Sequence, residues 1–239
     1  MKRSKIILIC LLLIPLISIA QEEKEIWDYP IKPGTEQWEA LASRKEVMEV
    51  CRIPQEVLET VSTKDLAEIC MNYPLFSDYM FFNSERVGVW AMIKGFNGLD
   101  ELSKRKDGAQ ELVKIYKTYP FFTQISDRTS KDFRIIQYKL SFLELILSDE
   151  IFIDQLDNDQ LKELGIIVLD KYENKLNDMN VFGLYNIKKT LLLGAIILDK
   201  RNDSAKTTEQ QNIIKNFIEY YNQAKPETIT EMSKLMSEL

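Results

Sequence analysis

Apolar residues recur at helical spacing almost continuously from Thr35 to the last residues of the chain, and this pattern constrains the fold more than any other feature. The clearest stripe, with polar residues on the opposite face, consists of Phe133, Ile136, Leu140, Leu143 and Leu147. Stripes of the same kind occur within 161–172, 184–198, 213–221 and 229–236. Evidence for strands is thin, so the sequence predicts an all-α fold.

Residues that favour helix starts divide this pattern into separate helices. The expected N-terminal ends are marked by Thr35, Ser43, Ile53-Pro54, Ser62, Asp157 or Asn158, Thr207 and Pro226. Asn97-Gly98 and Asp107-Gly108 are hairpin-type dipeptides, but neither is flanked by alternating apolar residues. They therefore indicate breaks between helices.

A short pattern occurs twice at an offset of 46 residues. Leu66, Ile69, Tyr73, Pro74 and Phe76 correspond to Leu112, Ile115, Tyr119, Pro120 and Phe122. In each copy the Tyr-Pro pair ends a helix, because proline disfavours a helical conformation in the residue before it. The offset is similar to that of HEAT and armadillo repeats and favours stacked helical hairpins. An irregular helical bundle remains the alternative.

The first twenty residues have the parts of a secretory signal peptide. Three basic residues within the first five positions precede an apolar run over 6–17, and Ser18-Ile19-Ala20 supplies small residues before Gln21. The run is too short to span a bilayer comfortably, and no later stretch reaches about 18 uncharged apolar residues. The sequence predicts export to the periplasm or the extracellular space, with no integral membrane segment after cleavage.

Cleavage after Ala20 would change the formal net charge from −6 to −9. Nucleic-acid binding depends on cationic neutralisation of phosphates, so an acidic chain without a basic block is not expected to bind nucleic acid. The chain contains no histidine, which excludes mechanisms and metal sites that need an imidazole from it. We therefore expect no cofactor and no metal site.

Two cysteines, Cys51 and Cys70, remain after signal cleavage. In an oxidising compartment an even number of cysteines suggests a disulfide. By closing the loop between Cys51 and Cys70, it would contribute on the order of 3 kcal/mol to the free energy of unfolding. Two separately buried thiols are the alternative, because free cysteine packs as a small apolar residue. The sequence leaves both open.

The predicted domain organisation is a signal peptide over 1–20, an extended lead-in over 21–34 and a helical domain over 35–239. The domain could form one core, or two subdomains over 35–128 and 129–239.

Aromatic residues are concentrated in the first half of the chain. Trp27 and Tyr29 lie in the lead-in, outside the periodic pattern, so we expect them either to be exposed for ligand binding or to fasten the lead-in to the domain. Phe76, Phe81 and Phe122 have spacings suited to core packing.

The segment from Tyr29 to about Gly108 resembles an uncharacterised family of exported proteins common in gut-dwelling Bacteroidetes. The resemblance is carried by Tyr29-Pro-Ile-Lys-Pro-Gly-Thr-Glu-Gln-Trp38, Cys51-Arg-Ile-Pro54, Ser62-Thr63 ahead of Leu66, Asn72-Tyr73-Pro74, and Gly95-Phe-Asn-Gly98 running into Leu99-Asp-Glu-Leu102. It implies export and a helical fold, and it transfers no catalytic residue.

Asp203-Ser204-Ala205 similarly resembles an O-glycosylation signal of exported Bacteroidetes proteins, which makes Ser204 a candidate modification site.

No catalytic motif is present. Paired carboxylates can hydrolyse glycosides without histidine, but Glu22-Glu23, Asp100-Glu101 and Asp149-Glu150 fall where solvated surface or helix caps are expected. The leading prediction is a non-catalytic, exported interaction module that presents a helix-lined surface to a protein, peptide or glycan. A carboxylate-based enzyme acting on carbohydrate and a structural or envelope-assembly protein are the alternatives.

Overall fold

A computed structural model of the chain describes residues 26–119, 130–201 and 206–239. All regular elements in these ranges are helical, which confirms the all-α prediction. The α-helices are α1 Glu36–Glu39, α2 Arg44–Val50, α3 Gln55–Thr60, α4 Thr63–Met71, α5 Glu85–Gly95, α6 Asn97–Lys104, α7 Gly108–Thr118, α8 Lys131–Leu147, α9 Glu150–Ile153, α10 Asn158–Asn177, α11 Met179–Lys200, α12 Thr208–Tyr220 and α13 Pro226–Leu235. Three 3-10 helices span Phe76–Phe81, Tyr221–Gln223 and Met236–Glu238.

The predicted cap residues start the helices. The side chains of Thr35, Ser43 and Ser62 each accept a backbone N–H of the first turn that follows. Asp157 and Thr207 form complete capping boxes, in which a glutamine three residues later bonds back to the backbone N–H of the cap residue. Breaks between helices occur at both predicted dipeptides, because α6 begins at Asn97 and α7 at Gly108.

The long helix α11 is the centre of the bundle and packs against α8, α10, α12 and α13. It bends near its start at Gly183, whose φ of 66° and ψ of 162° are non-helical. By length and composition α11 is apolar enough to cross a membrane. However, 67% of its most apolar 18-residue stretch is buried inside the fold. Its hydrophobicity is therefore accounted for by packing against its neighbours.

One continuous apolar cluster runs through the described residues, from Tyr29 to Met236. It includes fully buried residues of the first half, such as Leu66 and Leu112, and of the second half, such as Leu143 and Ile197. The two predicted halves therefore share a core.

The repeat is not confirmed. Leu66 and Leu112 are both fully buried, on the neighbouring helices α4 and α7, and α4 ends just before Tyr73-Pro74 as expected. A 3-10 helix follows the first copy, whereas Pro120 and Phe122 of the second copy lie outside the described residues. Within those residues the architecture is a helical bundle.

Of the two arrangements that the sequence left open for the cysteines, the disulfide is not formed. Cys51 at the end of α2 and Cys70 within α4 are both free thiols, and both are buried. Burial raises the pKa of the Cys51 thiol to about 11 and that of Cys70 further. The structure thus has the alternative arrangement, two separately buried thiols.

The 3-10 helix Phe76–Phe81 packs closely on α5 at Gly88. A Cβ atom at this position would lie 2.4 Å from the Tyr79 carbonyl oxygen. The lack of a side chain at Gly88 therefore allows the two backbones to approach.

Candidate functional site

A buried polar cluster joins four helices. The Glu144 carboxylate on α8 is fully buried. Each of its two oxygens accepts a hydrogen bond from Lys175 Nζ at 2.9 Å. Its Oε1 also accepts from the hydroxyls of Tyr116 and Thr190, each at 2.9 Å. Lys175 donates further to Thr190 Oγ1 at 2.8 Å. Because these groups satisfy one another away from solvent, the cluster stabilises the bundle and offers nothing to a ligand.

A second buried cluster surrounds Glu85 at the first residue of α5. Lys189 Nζ lies 3.4 Å from Glu85 Oε1 and 3.0 Å from the centre of the Tyr185 ring. Tyr185 and Tyr221 donate their hydroxyl groups to the same carboxylate, Tyr221 at 3.4 Å. Burial lowers the pKa of Lys189 to about 8. Lys189 Nζ and the Tyr79 hydroxyl are buried without a hydrogen-bond partner among the described residues.

Tyr221 connects this cluster to an open cleft of about 630 Å³, a size common among ligand pockets. We call it the α5–α12 cleft, because its walls come from the start of α5, the α8–α9 junction and the end of α12. It is lined by Asn83, Ser84, Arg86, Val87, Trp90, Asp149, Glu150, Ile151, Glu219, Tyr220, Tyr221, Asn222 and Gln223.

Two aromatic side chains of the cleft are half exposed: Trp90 at 52% and Tyr220 at 51%. Single exposed apolar side chains are common on protein surfaces, but these two occur in the same concave surface. Val87, one helical turn before Trp90, is also exposed there. The cleft therefore offers flat apolar faces next to polar groups.

The polar groups of the cleft are mostly carboxylates and amides. Asp149 caps α9 by accepting the Ile151 N–H at 3.0 Å, and partial burial raises its pKa. Arg86 is the single cation of the lining and donates to the Ile218 carbonyl oxygen at 3.1 Å, at the end of α12. The cleft thus has more negative than positive side chains.

Trp27 and Tyr29, for which the sequence left open ligand binding or fastening of the lead-in, lie outside this cleft. Tyr29 is buried, and its hydroxyl donates to the Ile69 carbonyl oxygen at 3.2 Å. The half-buried Trp27 contacts it edge to face, with ring centres 4.9 Å apart. Together they fasten the lead-in to α4 and line a small pocket of about 160 Å³. Ser204, the candidate glycosylation site, lies outside the described residues.

Phe81 corrects one core prediction, because its side chain is 85% exposed, whereas Phe76 packs against the core as expected. Trp90 and Tyr220 were not among the residues predicted from the sequence to bind ligand. The buried apolar face of α5 includes Val89, Met92 and Ile93, and helical geometry places Trp90 about 100° away from the middle of this face.

These observations define an α-helical protein with an open cleft edged by aromatic side chains. No protein-family model, curated protein or solved structure matches the chain. The resemblance to exported Bacteroidetes proteins therefore stays a prediction.

Proposed function

We propose that this chain is an exported, non-catalytic α-helical binding module whose ligand occupies the α5–α12 cleft. The observation that carries the proposal is the pair of half-exposed aromatic side chains, Trp90 and Tyr220, inside one concave surface. Partly exposed rings provide large contact areas at little entropic cost, which suits recognition. The buried charged groups behind the cleft hold the helices in place.

Tryptophan fluorescence can test this proposal. The chain has three tryptophans, and of these Trp90 lies in the cleft while Trp27 and Trp38 pack against the core. With an array of oligosaccharides, peptidoglycan fragments and peptides as probes, a binding probe should shift the emission of the wild-type protein. The shift should disappear in Trp90→Phe and persist in Trp38→Phe. A shift that survives Trp90→Phe would place the ligand outside the cleft.

Export is part of the proposal. It is supported by the basic, apolar and small-residue segments before Gln21. The intact mass of the protein from its native cells should correspond to a chain that begins at Gln21. A mass that includes residues 1–20 would contradict export by cleavage.

A carboxylate-based glycosidase is the second candidate function, and one observation favours it. Asp149, whose pKa is raised by partial burial, and Glu219 line the same aromatic-edged cleft, and such enzymes use two carboxyl groups, one as acid and one as base or nucleophile. Release of reducing sugar that is lost in Asp149→Asn, while binding is kept, would replace the binding module by this enzyme. Binding without release supports the module.

A further inference from the structure

We propose that the ligand of the α5–α12 cleft is a neutral oligosaccharide. This inference rests on the proposed binding function and adds the chemical class of the ligand. It follows from the charge of the cleft, its hydrogen-bonding groups and the kind of secondary structure around it.

Charge disfavours an anionic ligand. Asp149, Glu150 and Glu219 contribute three carboxylates to the lining. Among the described residues of the lining they face one guanidinium, that of Arg86, which donates one N–H to the Ile218 carbonyl oxygen. A phosphate, sulfate or uronic acid would meet a lining with more negative than positive side chains, and close like charges are costly.

Hydrogen-bonding groups of both kinds surround the two rings. The exposed side chains of Asn222 and Gln223 make no hydrogen bond within the described residues, and an amide both donates and accepts. The carboxylate of Glu219, next to them, only accepts. A sugar hydroxyl also donates and accepts, so a polyhydroxylated ligand can satisfy this mixture while its apolar ring face covers Trp90 or Tyr220.

Two modes of peptide recognition, strand addition and helix docking, fit the cleft less well. Addition of a peptide strand requires a sheet edge, and the described part of the chain contains only helices and their connections. Docking of an amphipathic helix requires a continuous apolar groove, whereas most of the side chains lining this cleft are polar or charged.

The decisive experiment is a titration of the processed protein with four probes. These are neutral oligomers of glucose, neutral oligomers of N-acetylglucosamine, oligogalacturonate and a mixed peptide library. We expect one of the neutral oligomers to bind, and Trp90→Ala and Gln223→Ala each to weaken it by about tenfold or more. Tyr138→Ala is the matched control, because Tyr138 is 39% exposed on α8 and does not line the cleft. It should leave the affinity unchanged, and far-UV circular dichroism should show all variants folded.

Each other outcome has a distinct meaning. Binding of oligogalacturonate or peptides alone, sensitive to Trp90→Ala, would overturn the neutral-oligosaccharide inference and leave the binding function standing. Neutral-sugar binding that neither cleft substitution weakens would overturn the assignment of the sugar to this cleft. No binding by any probe would count against both proposals.

Discussion

Replacing Lys175 by methionine tests whether the buried Glu144 cluster stabilises the bundle. Methionine keeps most of the length of the lysine side chain but carries no charge. The Glu144 carboxylate, which is 0% exposed, then lacks its cationic partner. Removing one partner of a buried ion pair costs about 3–5 kcal/mol. The hydroxyls of Tyr116 and Thr190 still donate to Glu144, so we expect a loss near the lower limit, about 3 kcal/mol. At about 2–4 °C per kcal/mol for a chain of this size, the melting temperature should fall by roughly 6–12 °C.

Urea denaturation followed by far-UV circular dichroism measures this free energy of unfolding. Lys162→Met is the matched control on the same helix, because Lys162 is 42% exposed and lies 3.7 Å from Asp159, where a surface ion pair contributes about 0–1 kcal/mol. Adding Glu144→Gln to Lys175→Met should recover about 1 kcal/mol, since the uncompensated charge is then removed. A loss below about 1 kcal/mol in Lys175→Met would refute the reasoning.

Three further predictions concern close packing, pH and the thiols. Gly88→Ala should lower the free energy of unfolding by about 1–3 kcal/mol, because the new Cβ clashes with the backbone at Tyr79. Gly95→Ala is the control and should not lower it, because no atom lies within 4 Å of the new Cβ. Equal urea midpoints for the two variants would contradict this prediction. Burial lowers the pKa of Lys189 in the folded protein to about 8. Above that pH the unfolded state therefore binds more protons at Lys189 than the folded state does. The contribution of Lys189 to stability should therefore rise as the pH increases from 8 toward 10, and Lys189→Met should reduce that rise in urea titrations. Because Cys51 and Cys70 are free and buried, they should react with a thiol reagent, in the absence of reductant, only after the protein is unfolded. If the unfolded, processed chain showed no reactive thiol, the two cysteines would form a disulfide.

The described helices were accessible to sequence reasoning because their signals are local. A side chain such as Ser43 or Thr207 bonds to a backbone N–H three residues later, and this geometry is the same in any fold. Helical spacing likewise predicted the burial of Leu140 and Leu143 on α8, but the polar face expected opposite them was wrong there, because Ser141 and Glu144 are also buried. By itself the sequence therefore determined the helical class, many of the helix starts and the absence of imidazole chemistry.

Only the tertiary structure decided how these helices meet and what they leave exposed. Glu144 and Lys175 are 31 residues apart, and nothing local distinguishes them from surface charges until α8 and α10 pack side by side. Trp90 and Tyr220 come from distant parts of the chain and share a cleft because α5 and α12 contribute to the same surface. The pairing of distant side chains depends on which helix faces come together, and local signals do not encode it.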